Sequence, residues 1–257
     1  MPTKDIAEVV AAMDARLVRM PPDRSGQRVF LETYRRTTIA VGKAVEDAQF
    51  EDPDWVERWD VAFAELYLGA LDLDLAGSAD VPRPWRLAFD APATLAPLRH
   101  VLLGINAHIN YDLPQALLAV ISDEEFTNPR VVARRRRDHE RIDGVLSGRV
   151  AAEDDELGAL SPRTTLDRLL QPLNRLSSKR FLREARMKVW HNTIELQRAR
   201  LAGDQPYAAR LAELEVLSAA RIADLLAPGQ VLLRLAVAGF GVTLPPAAAG
   251  SRGAPDA

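Results

Sequence analysis

The chain contains no cysteine, which excludes disulfides, thiolate metal ligands and thiol nucleophiles. Histidine is nearly as scarce, with four among 257 residues. Any imidazole chemistry must therefore come from His100, His108, His139 or His191. Also missing are a glycine-rich phosphate loop, a G-x-S-x-G nucleophile turn and a dinucleotide fingerprint, which argues against redox chemistry on a Rossmann domain. There is no Glu-x-x-His pair, the ligand spacing that a carboxylate-bridged iron bundle would use. No apolar run approaches the ~20 uncharged residues of a membrane-spanning helix. The N-terminal MPTKDIAEVVAAMDARL lacks the apolar core of a signal peptide. Formal charge is only −3, so nothing draws the chain generally to nucleic acid or anionic lipid. From these absences a cytoplasmic protein is the default expectation.

What is present is helical periodicity, while β-branched alternation is rare. The fold class expected is all-α: one multi-helix, bundle-like domain over residues 1–244, with a disordered tail from 245 to 257 that is too poor in core residues to fold alone. The spacing predicts helices over Lys4–Met20, Ser25–Phe50 and onward from Asp52-Pro53-Asp54, where proline and acids suit a first turn. The third helix should bury Trp55, Trp59, Phe63, Leu66, Ala70 and Leu73. Gly77–Pro97 holds four prolines and predicts an ordered connector anchored by Trp85 and Phe89. Asp123–Pro129 predicts a loop, followed by a helix over Arg130–Leu146 and a turn-like acidic stretch over Glu153–Arg163. Further helices are expected over Thr165–Leu176, Ser178–Leu201 and from Gly203–Pro206 to Leu226. The apolar Val231–Phe240 should pack on the bundle or on a second subunit, which would make a homodimer.

The most informative segment is Leu102–Pro114, LLGINAHINYDLP, inside an apolar run from Leu95 to Ile121. Successive residues turn about 100° on a helix. That gathers His100, Gly104, His108, Tyr111, Asp112 and Gln115 on one stripe, opposite Leu98, Leu102, Ile105, Ile109 and Leu113. A helix apolar on most sides is expected to be buried at the centre of the fold. Its polar stripe must then face partners, water or a ligand. Pro114 cannot donate to the Asn110 carbonyl and should bend the helix, and Gly104 removes a side chain one turn before His108.

Three of the four histidines have an acid four residues later: His108/Asp112, His139/Asp143 and His191/Glu195. Such pairs share a helix face and can either bind one metal ion or form an ordinary ion pair. Burial separates them. His191 lies among Glu184, Lys188, Glu195 and Arg198 on an exposed arc, whereas Asn192 intrudes on the apolar face. His139 and Arg135 fall within the arc of Val131, Val132, Ile142 and Val145. A buried Arg135 needs a carboxylate or a ligand anion.

The string LLGINAHINYDLPQAL, with WVERWDVAFAELYLGAL, PRPWRLAFDAP, RDHERIDGVL and Trp190-His191-Asn192, resembles an uncharacterised bacterial family of all-helical proteins. The resemblance covers most of residues 50–200 and favours His108, Asp112, His139 and Asn192 as site residues. His108-x-x-x-Asp112 followed by LPQAL also looks like the helix motif of zinc-dependent phospholipase C and related single-strand nucleases. That likeness implies a metal-held hydroxide attacking a phosphodiester. The chain departs from that motif at Leu118, where a further histidine would stand, and has no matching N-terminal tryptophan ligand.

Three functions follow as expectations. In the first, His108, Asp112, His139 and Asp143 bind a divalent ion (zinc, iron or manganese) for hydrolysis of an ester or phosphoester. Arg135, Tyr111, Asn192 and His100 then contact the substrate. In the second, a metal-free lyase, cyclase or isomerase uses His108 and Asp112 as acid and base, with His139 beside them. In the third, the stripe belongs to a non-catalytic ligand-binding or scaffold protein.

Overall fold

The computed structural model describes residues 5–158 and 187–227. These are helices and connecting turns, with no strand among the described residues. Helix α1 (Ile6–Arg19) starts at a capping box in which Asp5 and Glu8 satisfy each other's backbone N–H. Helix α2 (Ser25–Glu46) stops short of the expected Phe50, because Ala48 turns the backbone to φ 53°. Asp52 caps α3 (Pro53–Leu75) by accepting from the Trp55 N–H, with proline in the first turn.

The proline-rich connector contains a short helix, α4 (Arg83–Phe89), which begins around Pro84 and buries Trp85 completely. A second short helix, α7 (Asp123–Thr127), replaces the expected loop, started by a Ser122/Glu125 capping box. Helix α8 (Pro129–Gly158) runs on through the beginning of the stretch expected to turn. Residues 187–202 form α9, and Gly203, at φ 118°, turns the chain into α10 (Asp204–Leu226). The expected helix over 165–176, the start of the one over 178–201, the apolar stretch 231–240 and the tail 245–257 lie outside the described residues.

The 95–121 run is not one helix. It is built as α5 (Pro97–Ala107), a π turn over His108–Asp112 and α6 (Leu113–Val120). Proline 114 accounts for the break, since it has no N–H to continue the i−4 ladder. The backbone instead closes a wider turn, with the Leu113 N–H donating to the His108 carbonyl five residues back. Burial also differs from expectation. His100, Gly104, His108, Tyr111 and Asp112 are buried, whereas Leu102 and Ile109 are half-buried and Ile105 is 38% exposed. The polar stripe faces inward because α2, α3 and α4 supply rings that pack on it.

Helix α3 forms the centre of the core. Its Trp55, Tyr67 and Leu71 are fully buried, and it touches α1, α2, α4, α6 and the π turn. Helix α2 also packs on α5. Among the described residues, no helix is long and apolar enough to cross a membrane.

Candidate functional site

His108 and Asp112 meet on the π turn, with Nδ1 2.8 Å from Oδ2 and exposures of only 4% and 2%. Trp85 Nε1 donates to the same Oδ2 at 2.8 Å. An indole N–H only donates, so Oδ2 acts as an acceptor there, and the shared proton is assigned to His108 Nδ1. That leaves Nε2 as the lone-pair nitrogen, and it is buried without a partner. Burial pushes the His108 pKa below its ordinary value, partly offset by Asp112, and pushes the Asp112 carboxyl up.

Rings surround the imidazole. Phe63 from α3 lies flat against it at 3.5 Å between centroids, Tyr34 from α2 stands edge-on at 4.7 Å, and Tyr67 lies at 6.0 Å. The hydroxyls of Tyr34 and Tyr67 are also buried without partners. Tyr34 approaches Thr38, yet neither hydroxyl completes a hydrogen bond. The Tyr34 hydroxyl also feels the charges of Asp60 and Asp112. Burial, then Glu57, pushes Asp60 up to about 7, and its Oδ2 is another unpartnered atom. Unsatisfied buried groups are rare in folded proteins. Here several occur where α2, α3 and the π turn meet.

The other residues singled out in the sequence lie elsewhere. His139 is 4% exposed, but its ring sits against Trp59 and Trp190, and its Nδ1 accepts from Trp190 Nε1 at 3.3 Å. The stacked rings of Phe63 and Trp59 stand between it and His108. Arg135 is buried as expected, and its partners are carboxylates: Asp52 and Glu125 each bind one terminal nitrogen at 2.5 Å. Trp55 lies beneath the guanidinium. Arg135 therefore does not line the His108 site.

Asn192 is half-buried, and its Oδ1 accepts from Arg210 at 2.8 Å. Tyr111 turns toward Leu118, Leu196 and Leu214. Its hydroxyl pKa is pushed up to about 12, by burial first and then by Glu215. His100 lines a separate cleft beside α2. The side chain of Asp143 lies outside the described residues.

The four-ligand metal set is thus not assembled in the form expected from spacing. Asp112 is spent on orienting His108, and His139 belongs to a different cluster. No group of three or more His, Asp or Glu side chains suited to one ion occurs among the described residues. They do not fit the metal cluster that the phospholipase C likeness implies.

Sequence spacing found His108 and Asp112 but missed Trp85 as their third partner, and missed Asp60 and Tyr67. The signal for the last two was available: Asp60 and Tyr67 share a face with Phe63 at helical spacing. Asp138 was also missed. It is fully buried on α8 and accepts the backbone N–H groups of Glu51 and Asp52 at 2.7 and 2.9 Å.

Residues 6–228 match the Family of unknown function (DUF5995). The chain belongs to this family. No curated protein and no solved structure matches it.

Proposed function

We propose that the protein is a small-molecule enzyme of the lyase or isomerase type that moves a proton with His108 and without a metal ion. The observation that carries this reading is the His108–Asp112–Trp85 chain, which ends in an unpartnered Nε2. Asp112 fixes the imidazole through Nδ1, as a carboxylate does behind a catalytic histidine. Nε2 then serves as the base. A lowered pKa keeps it unprotonated near neutrality, the state a base needs.

Asp60 supplies the opposite function. With its pKa pushed up to about 7, it retains a proton to donate when His108 has none. Two titrating groups displaced in opposite directions are the usual arrangement for acid and base roles. Tyr34, which feels both carboxyl groups, would orient the substrate between them. The π turn supports the reading, because single π turns recur at functional positions in helices.

The test uses protein with 15N-labelled histidine and a fragment library of small carbonyl and hydroxyl compounds, followed by ring-nitrogen NMR. Hits should move the His108 Nε2 resonance in the wild type and lose affinity in Tyr34→Phe. A library whose hits all leave His108 Nε2 unmoved contradicts the reading.

A further inference from the structure

A small cleft lies between α2, α4 and α5, walled by Gly26, Phe30, Trp85, Phe89, His100 and Gly104. Its interior is about 10 Å³, room for about one water. Two walls are bare for steric reasons. A Cβ on Gly26 would come within 2.5 Å of His100 Nδ1, and one on Gly104 within 2.3 Å of Phe30 Cδ2. Such distances are far inside van der Waals contact, so only glycine permits these crossings.

His100 is 7% exposed, and its Nε2 is buried without a partner. Burial lowers its pKa, against a hydrogen bond involving the Pro92 backbone, so the ring is a neutral acceptor at pH 7. The remaining polar wall, Gln27, already gives its amide to Asp74 and the Phe89 carbonyl. No charged side chain lines the cleft.

Phe30 and Trp85 wall the cleft and also pack on His108, with centroids 6.4 and 5.8 Å from its ring. Phe30 and Trp85 therefore border both the cleft and His108. Trp85 is tied to Asp112 by its indole N–H. Phe30 has no polar tie and is held by ring contacts with Tyr34, Tyr67 and Trp85 and by the bare Gly104, so it is the ring whose displacement would open the cleft.

We infer that the cleft is the closed mouth of the His108 site, with His100 as a binding group and Phe30 as the gate. The ligand is a small, uncharged, planar molecule bearing one hydroxyl or N–H donor. This rests on the acid–base reading of His108 and adds the route and the ligand class. Aromatic walls select a planar apolar body, the lack of charge selects a neutral one, and two lone-pair nitrogens select a donor.

Phenol and benzene are the probes, since they differ only by one donor, and histidine ring 15N shifts are the readout. Phenol should move His100 Nε2 and bind the wild type about tenfold more tightly than benzene, because benzene leaves a buried acceptor unpaired. His100→Leu should erase that preference. Phe30→Leu should let phenol move His108 as well, at lower concentration than in the wild type.

A phenol preference that survives His100→Leu overturns the cleft proposal. So does a His108 response to phenol while His100 stays unmoved; that result leaves the His108 reading intact. A His100 response with His108 silent in both wild type and Phe30→Leu shows that the cleft is no mouth, and it counts against His108 as the reacting group. Should Phe30→Leu fail to fold, the wild type and His100→Leu still decide the cleft.

Discussion

Two polar clusters flank α3, one partly exposed and one buried, and they differ in how their valences are used. At its N-terminal end, Arg135 spans Asp52 and Glu125, Arg137 and Arg141 bind Glu51, and Asp138 caps two backbone N–H groups. The carboxylates there and the terminal nitrogens of Arg135 are paired within the protein, while Arg134 Nε, Arg135 Nε and Trp55 Nε1 are not. Around His108, by contrast, one chain of hydrogen bonds from Trp85 through Asp112 ends at a free Nε2, beside two free tyrosine hydroxyls. A paired network of this kind holds helices together. The other leaves buried polar atoms without partners inside the protein, and the proposed function is built on those atoms.

The largest expected effect belongs to the paired cluster. Asp138→Ala removes a buried carboxylate that accepts from two backbone N–H groups and should cost about 3 kcal/mol. Denaturant unfolding measures it, and a loss below about 1 kcal/mol would break the comparison. Gly104→Ala comes next. Its new methyl collides with Phe30, at about 1–3 kcal/mol for an overpacked core. Adding Phe30→Leu should recover part of that loss in Tm, and no recovery would place the strain elsewhere.

Within the His108 cluster two groups respond to pH with opposite sign. His108 has a folded pKa below its unfolded value of 6.5, so its contribution is present above pH 6.5 and falls away as the pH drops below it. Asp60 behaves oppositely: its contribution is full below 3.8 and is lost as the pH rises toward about 7. Melting temperature against pH should therefore gain on the neutral side in Asp60→Asn and on the acid side in His108→Gln. Asp52 and Glu125 have their pKa values lowered by Arg135, so the paired cluster weakens only as the pH falls through the carboxylate range. The smallest effect is Tyr34→Phe, whose hydroxyl has no partner to lose. It should leave stability within about 0.5 kcal/mol while weakening ligand binding.

The fold was legible wherever local chemistry decides it. The Asp52-Pro53 start of α3 and the glycine turn before α10 follow from capping and backbone preference, and the burial of Arg135 and His139 on α8 from periodicity. On α3 periodicity placed Trp55, Trp59 and Ala70 correctly, while Phe63, Leu66 and Leu73 are only half-buried and Tyr67, Leu68 and Leu71 fill the core instead. Local pairing also showed that His108 and Asp112 would meet. It could not show which side of α5 would turn inward, because that depends on rings from α2, α3 and α4. For the same reason the spacing of His139 suggested a shared ion, when Phe63 and Trp59 intervene. Trp85 sits 27 residues before Asp112, on a short helix hidden among prolines. No periodic pattern could bring the two together.

The most direct test is the protonation state of the His108 ring, read from two-bond 15N–1H correlations across pH 5–8. The account predicts a neutral imidazole with the proton on Nδ1 and the lone pair on Nε2, still neutral at pH 6.5, with Trp85 Nε1–H strongly hydrogen-bonded. A proton on Nε2, or an imidazolium already formed at pH 6.5, would contradict it.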